Sequence, residues 1–118
     1  MKRTIYLLLA ALMLTTALAA PALAAPKTQI TFADVGWDSI RFHNAVAGTV
    51  AEAVFGYTWE EVSGSTPITS EALMKGDIDV HMEMWTDNIA TYDDDIAQGR
   101  MQELSVNFDD NFQGLYVP

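Results

Sequence analysis

The N-terminal segment sets how much chain is left to build a fold. Lys2 and Arg3 are followed by an apolar run from Ile5 to Leu14, and small residues end at Ala22-Leu23-Ala24. This order of a basic start, an apolar middle and an A-x-A terminus predicts a secretory signal peptide over residues 1–24, cleaved after Ala24. The apolar run is too short to span a bilayer comfortably and has no basic flank behind it. No cysteine follows the small residues, which excludes a lipoprotein anchor. A folded unit must then come from residues 25–118, which is 94 of the 118 residues and enough for one modest core. The expected location is periplasmic or secreted.

The charge of that remainder limits its partners. It keeps 4 of the 6 basic residues and all 16 acidic ones, for a net charge of −12. Nucleic acid is excluded as a partner, because phosphate binding needs a basic footprint. The absence of cysteine removes disulfides, thiolate metal sites and a cysteine nucleophile.

Periodicity predicts an alternation of strands and helices. Thr28–Val35 alternates, with Ile30, Phe32 and Asp34 on one side, and reads as a first strand. Gly36 breaks it, and Asp38 or Ser39 can cap a helix running to about Val54. Ile40, Ala47, Val50, Ala51 and Val54 are its expected apolar face. Tyr57–Val62 is a second strand. Thr66-Pro67 opens a helix that Gly76 closes after Lys75. Asp77–Trp85 reads as a third strand, and Thr86-Asp87-Asn88 as the cap of a helix carrying Ile89, Tyr92 and Ile96 up to Gly99. Glu103–Val106 and Phe112–Val117 complete the set as short strands. Short helices between short strands mean parallel crossovers and an α/β fold with a mostly parallel sheet.

Ligands of open α/β sheets bind beyond the carboxyl ends of the strands. Trp37 follows the first strand and Trp85 ends the third, while Trp59 lies inside the second. A 2-1-3 strand order would present Trp37 and Trp85 side by side. Two indoles suit a quaternary ammonium group, which has no N–H to donate and rests on the negative face of a ring for about 0.5–2 kcal/mol per contact. Both indoles serving as core or loop anchors is the competing reading. The helix start at Asp38-Ser39 offers free N–H groups to an anion, and Thr86 stands at a second such start. Both also read as ordinary caps. Strand alternation places His81, Glu83 and Trp85 on one face and Val80, Met82 and Met84 on the other. Glu83 then attracts a cation, fixes Trp85, or is a hydrogen-bonded structural carboxylate. His43 and His81 match no metal-ligand spacing, and Asp93-Asp94-Asp95 lacks the calcium-loop pattern. No metal, cofactor or nucleophile motif is found, so no enzyme activity is expected.

Several stretches resemble the substrate-binding proteins of glycine betaine/proline-type ABC transporters. They are Asp34–Asn44 (DVGWDSIRFHN), Gly64–Ile68 (GSTPI), Lys75–Val80 (KGDIDV), Met82–Asn88 (MEMWTDN) and Asn107–Pro118 (NFDDNFQGLYVP), in the family's order. The resemblance implies a type II periplasmic-binding-protein-like fold, a cage of tryptophans around a compatible solute, a role in osmoprotection, and delivery to an ABC permease. It carries the cage role to Trp85 and Trp37. Members of that family are more than twice this long, so the expectation is an incomplete lobe, residues 25–118 forming the N-terminal part of lobe I. The chain alone is then expected to bind weakly or not at all, with a second chain as one way to supply the missing lobe. Two other functions remain open at this point. One is a secreted hydrolase using Glu83 and Asp87 as acid and base, and the other is a remnant that binds nothing.

Overall fold

A computed structural model describes residues 26–110, 114–115 and 117. Strand β1 (Gln29–Asp34) is followed by helix α1 (Asp38–Phe55), strand β2 (Thr58–Ser63), helix α2 (Thr66–Lys75), a 3-10 turn (Thr86–Asn88) and a short helix α3 (Tyr92–Ala97). The strands β1 and β2 pair in parallel, from Gln29 opposite Thr58 to Asp34 opposite Ser63. On its other side β1 meets Val80 in a parallel bridge at Phe32. Asp79 N–H donates to the Thr31 carbonyl at 2.8 Å there, and Ala33 N–H to the Val80 carbonyl at 2.9 Å. The expected α/β class is therefore observed, in a two-stranded sheet with Val80 bridged to the free side of β1.

The third strand is shorter than the sequence predicts. The register sets Val80 against Phe32, so Asp34, the last residue of β1, falls opposite residue 82. Residues 83–85 overhang the carboxyl end of β1 and have no strand to pair with. Glu103–Val106 likewise has no regular structure. The expected strand at Phe112–Val117 lies largely outside the described residues. The helix expected from Thr86 is instead the 3-10 turn, a break, and α3.

Burial of β1 departs from simple alternation. Thr31, Phe32, Ala33 and Asp34 are all buried, as befits a strand covered on both faces. In α1 the buried face is Ile40, Asn44, Gly48 and Ala51. Val50 and Val54, expected inside, are 52% and 66% exposed, and they join Phe42 and Val46 in an outward apolar stripe at four-residue spacing. The reason lies in two residues that hydrophobicity does not mark. Asn44 is fully buried, and its Nδ2 donates to the Ala33 carbonyl and to Glu61 Oε1, both at 2.9 Å. Gly48 gives room to the Trp59 indole, which also packs edge-on against Phe32 at 6.1 Å between ring centres. Helix α1 ends at Gly56, whose φ of 71° is the left-handed cap that glycine adopts without steric cost.

Asp34 clamps the carboxyl end of the sheet. Its carboxylate accepts from Gly36 N–H at 2.9 Å, from Ser63 Oγ at 3.1 Å and from two nitrogens of Arg41 at 3.1–3.2 Å. Burial pushes its pKa up, but the hydrogen bonds from Arg41, Gly36 and Ser63 outweigh that and hold it below the usual carboxylate range. Asp79 behaves in the same way. Burial raises it, while Lys27 at 2.5 Å and the Thr31 N–H bring it below its ordinary value. A folded pKa below the unfolded one contributes stability that is complete above the unfolded value. That stability is lost as pH falls through the folded value. The melting temperature should therefore drop between about pH 5 and pH 3. The drop should be smaller in Asp34→Asn, which starts less stable; parallel pH profiles for the two proteins would contradict the assignment.

Candidate functional site

The overhang of residues 83–85 and the turn after β1 build a cleft at the carboxyl end of the sheet. Its volume is about 800 Å³, within the usual range for small-molecule sites. Trp37 and Ser39 enter from the start of α1, Ser70 and Glu71 from α2, and Glu83 and Trp85 from the overhang. Asp95 of α3 and the segment before it close the far side.

Four of the six expected site residues meet here: Trp37, Ser39, Glu83 and Trp85. The other two do not line this cleft. Asp38 is exposed and sits in the first turn of α1, where a carboxylate complements the helix dipole. The helix cap is Trp37, with no side-chain hydrogen bond, and not Asp38 or Ser39. Thr86 lines a neighbouring cleft of about 740 Å³, beside His81 and Met82. The second helix start expected there is only a three-residue 3-10 turn. Ser70 was not foreseen. It is buried, its Oγ has no hydrogen-bond partner among the described residues, and only the packing of α2 brings it to the cleft.

The lining of the cleft is acidic, and each of its carboxylates is paired from outside the lining. Glu71, Glu83 and Asp95 line it, and among the described residues no lysine or arginine does. Their partners stand outside the lining. Lys75 lies 3.1 Å from Glu71, Arg100 pairs with Asp95, and His43 Nδ1 lies 3.6 Å from Glu83 Oε2. Asp95, almost fully buried, also accepts from Thr91 Oγ1 at 2.9 Å. Glu83 is 4% exposed, and its Oε1 accepts the Trp85 Nε1–H at 3.0 Å. The Trp37 Nε1–H is enclosed and has no hydrogen-bond partner among the described residues. In the adjoining cleft, burial pushes the His81 pKa down while the Glu83 charge pulls it up, and the net direction is down. Among the described residues, no group of three or more histidine, cysteine or acidic side chains is placed to hold a metal ion. Among the same residues, no helix is long and apolar enough to cross a membrane.

Residues 28–118 match the family described as the substrate-binding domain of the ABC-type glycine betaine transport system. The chain is also 32% identical over 111 residues to "Uncharacterized protein ORF1" of Chromohalobacter salexigens, an alignment that covers 93% of this chain and 71% of that protein. No solved structure matches.

Proposed function

The chain belongs to the family of substrate-binding domains of ABC-type glycine betaine transport systems, and from that premise we propose that its cleft captures a quaternary ammonium solute between Trp37 and Trp85. Membership implies a small-molecule ligand and an ABC permease as partner. Glycine betaine or a related zwitterionic, quaternary ammonium compatible solute is the chemistry we assign, ahead of proline, whose ammonium keeps N–H donors. The observation that carries this reading is the cleft itself, in which two indoles from different elements stand among carboxylates, with no lysine or arginine among the described lining residues. A quaternary ammonium gains from ring faces and a negative surround, and cannot use a hydrogen-bond acceptor as a primary ammonium does. The start of α1 at Ser39, the free Trp37 N–H and the Ser70 hydroxyl are the groups we assign to a ligand carboxylate.

The same reading favours binding over hydrolysis. Glu83 is held by the Trp85 N–H, whereas a general acid or base has to reach a substrate. We further propose that residues 1–24 are a signal peptide and that the processed chain works in the periplasm. Intact mass of the protein recovered from the periplasm should correspond to a chain starting at Ala25; a mass retaining the first 24 residues would contradict this. The outward stripe of Phe42, Val46, Val50 and Val54 supports contact with a further polypeptide that covers this face. With the cleft open to solvent on one side, the ligand stays partly solvated, each ring contact falls to about 0.5–1 kcal/mol, and affinity is weak.

Tryptophan fluorescence tests the assignment. Glycine betaine should change the emission in a saturable way, and the change should be smaller in Trp37→Phe. A flat titration in protein shown to be folded would count against it.

A further inference from the structure

The chain has two histidines, and both bear on one buried carboxylate. His43 of α1 places Nδ1 3.6 Å from Glu83 Oε2, beyond hydrogen-bond reach but within ion-pair distance. His81, two residues before Glu83, feels its charge from the adjoining cleft. The other oxygen of Glu83 holds the Trp85 indole N–H. The Phe108 ring lies 6.1 Å from the Trp85 ring and 6.4 Å from the His43 ring, so it packs against both ends of this chain of contacts. Glu83 and Trp85 line both clefts, which makes them the wall between the two.

We infer that Glu83 and His43 are positioning residues for Trp85: Glu83 sets the plane of the indole through its N–H, and His43 anchors Glu83 from α1. A ring attracts a cation only over its face, so a contact of this kind depends on the orientation of that face. Trp85 lies on the overhang beyond β1, where no strand pairing fixes the backbone. The Glu83 hydrogen bond supplies a constraint the sheet does not. Oε1 of Glu83 is taken up by the Trp85 N–H, and Oε2 is fully enclosed, 3.6 Å from His43 Nδ1 and without a hydrogen-bond partner among the described residues. Glu83 therefore acts on a ligand through Trp85 and not by touching it. The consequence for affinity rests on the quaternary ammonium reading, whereas the geometry of the wall does not.

The test is the indole N–H signals in heteronuclear NMR of the nitrogen-labelled chain, with each of the three tryptophans assigned by substitution. In Glu83→Leu, hydrogen exchange of the Trp85 indole should accelerate at least about tenfold, as expected for loss of a charge-assisted bond. Glu83→Gln keeps an acceptor and should stay near the wild type. His43→Leu should fall between them. The Trp59 signal should not move in any of these, which reports that the sheet is intact. Unchanged Trp85 exchange in His43→Leu, or in a folded Glu83→Leu, would overturn the assignment. If Glu83→Leu does not fold, Glu83→Gln and His43→Leu still decide it, because loss of protection in Glu83→Gln would equally contradict the acceptor role. Tetramethylammonium titrated into the same samples separates the two claims. A folded wild type that ignores it while the indole pattern holds fails the ligand reading and leaves the positioning of Trp85 standing.

Discussion

Trp85→Ala is expected to weaken glycine betaine binding by about two- to fivefold while the chain stays folded, as read by calorimetry. One ring contact to a partly solvated ligand contributes about 0.5–1 kcal/mol, which corresponds to that loss. Two effects act in the variant. The ring face disappears, and Glu83 loses its N–H donor while remaining 4% exposed in the parent fold. Trp85→Phe separates them, since it keeps a ring face and removes only the donor. Its loss should be smaller than that of Trp85→Ala but measurable, because an unheld ring spends less time facing the cleft. Equal affinity in Trp85→Ala and the wild type would remove Trp85 from the site. Trp59→Phe is the matched control, because Trp59 packs under α1 and lines neither cleft.

The second large effect concerns stability, and its sign decides between two principles. Gly48 lies inside α1, where alanine is normally favoured over glycine by about 0.8–1 kcal/mol. A methyl group at this position would stand 2.3 Å from Cδ2 of Trp59, with two further ring atoms at 2.6 Å. The indole cannot back away freely, because its other contact is the edge of Phe32, a 2% exposed core residue. Overpacking of this kind costs about 1–3 kcal/mol and outweighs the propensity gain. Chemical denaturation should therefore find Gly48→Ala less stable than the wild type, and Gly48→Ala with Trp59→Val should recover part of the loss. A Gly48→Ala variant more stable than the parent would show that the Trp59 contact does not constrain the helix.

The sequence made some features legible because they are local. Pro67 and Gly76 bound α2, Gly56 stops α1, and the parallel pairing of β1 with β2 follows from the short helical crossover. Trp37, Ser39, Glu83 and Trp85 were legible as neighbours around one cleft because strand ends and helix starts define it in any such sheet. What was not legible depends on register and on tertiary fit. The third strand shrinks to a bridge at Val80, opposite Phe32. No periodicity in Asp77–Trp85 contains that fact. The buried face of α1 was misread by hydrophobicity alone, since Asn44 is inside for its hydrogen bonds and Gly48 for its lack of a side chain. Val50 and Val54 were then assigned to a face they do not share. Ser70 and His43 reach the site only through the packing of helices whose placement sequence spacing does not encode.

The central claim is that Trp37 and Trp85 together recognise a quaternary ammonium group. It is tested most directly by following all three indole N–H signals while titrating glycine betaine, with tert-butylacetate, the same shape with carbon in place of the charged nitrogen, as comparison. The account predicts saturable shifts of Trp37 and Trp85 with glycine betaine, at a dissociation constant of about 1 mM or weaker for a partly solvated ligand. It predicts no shift of Trp59 and little response to tert-butylacetate. Equal responses to the two compounds, or none at Trp37 and Trp85 in a folded chain, would contradict it.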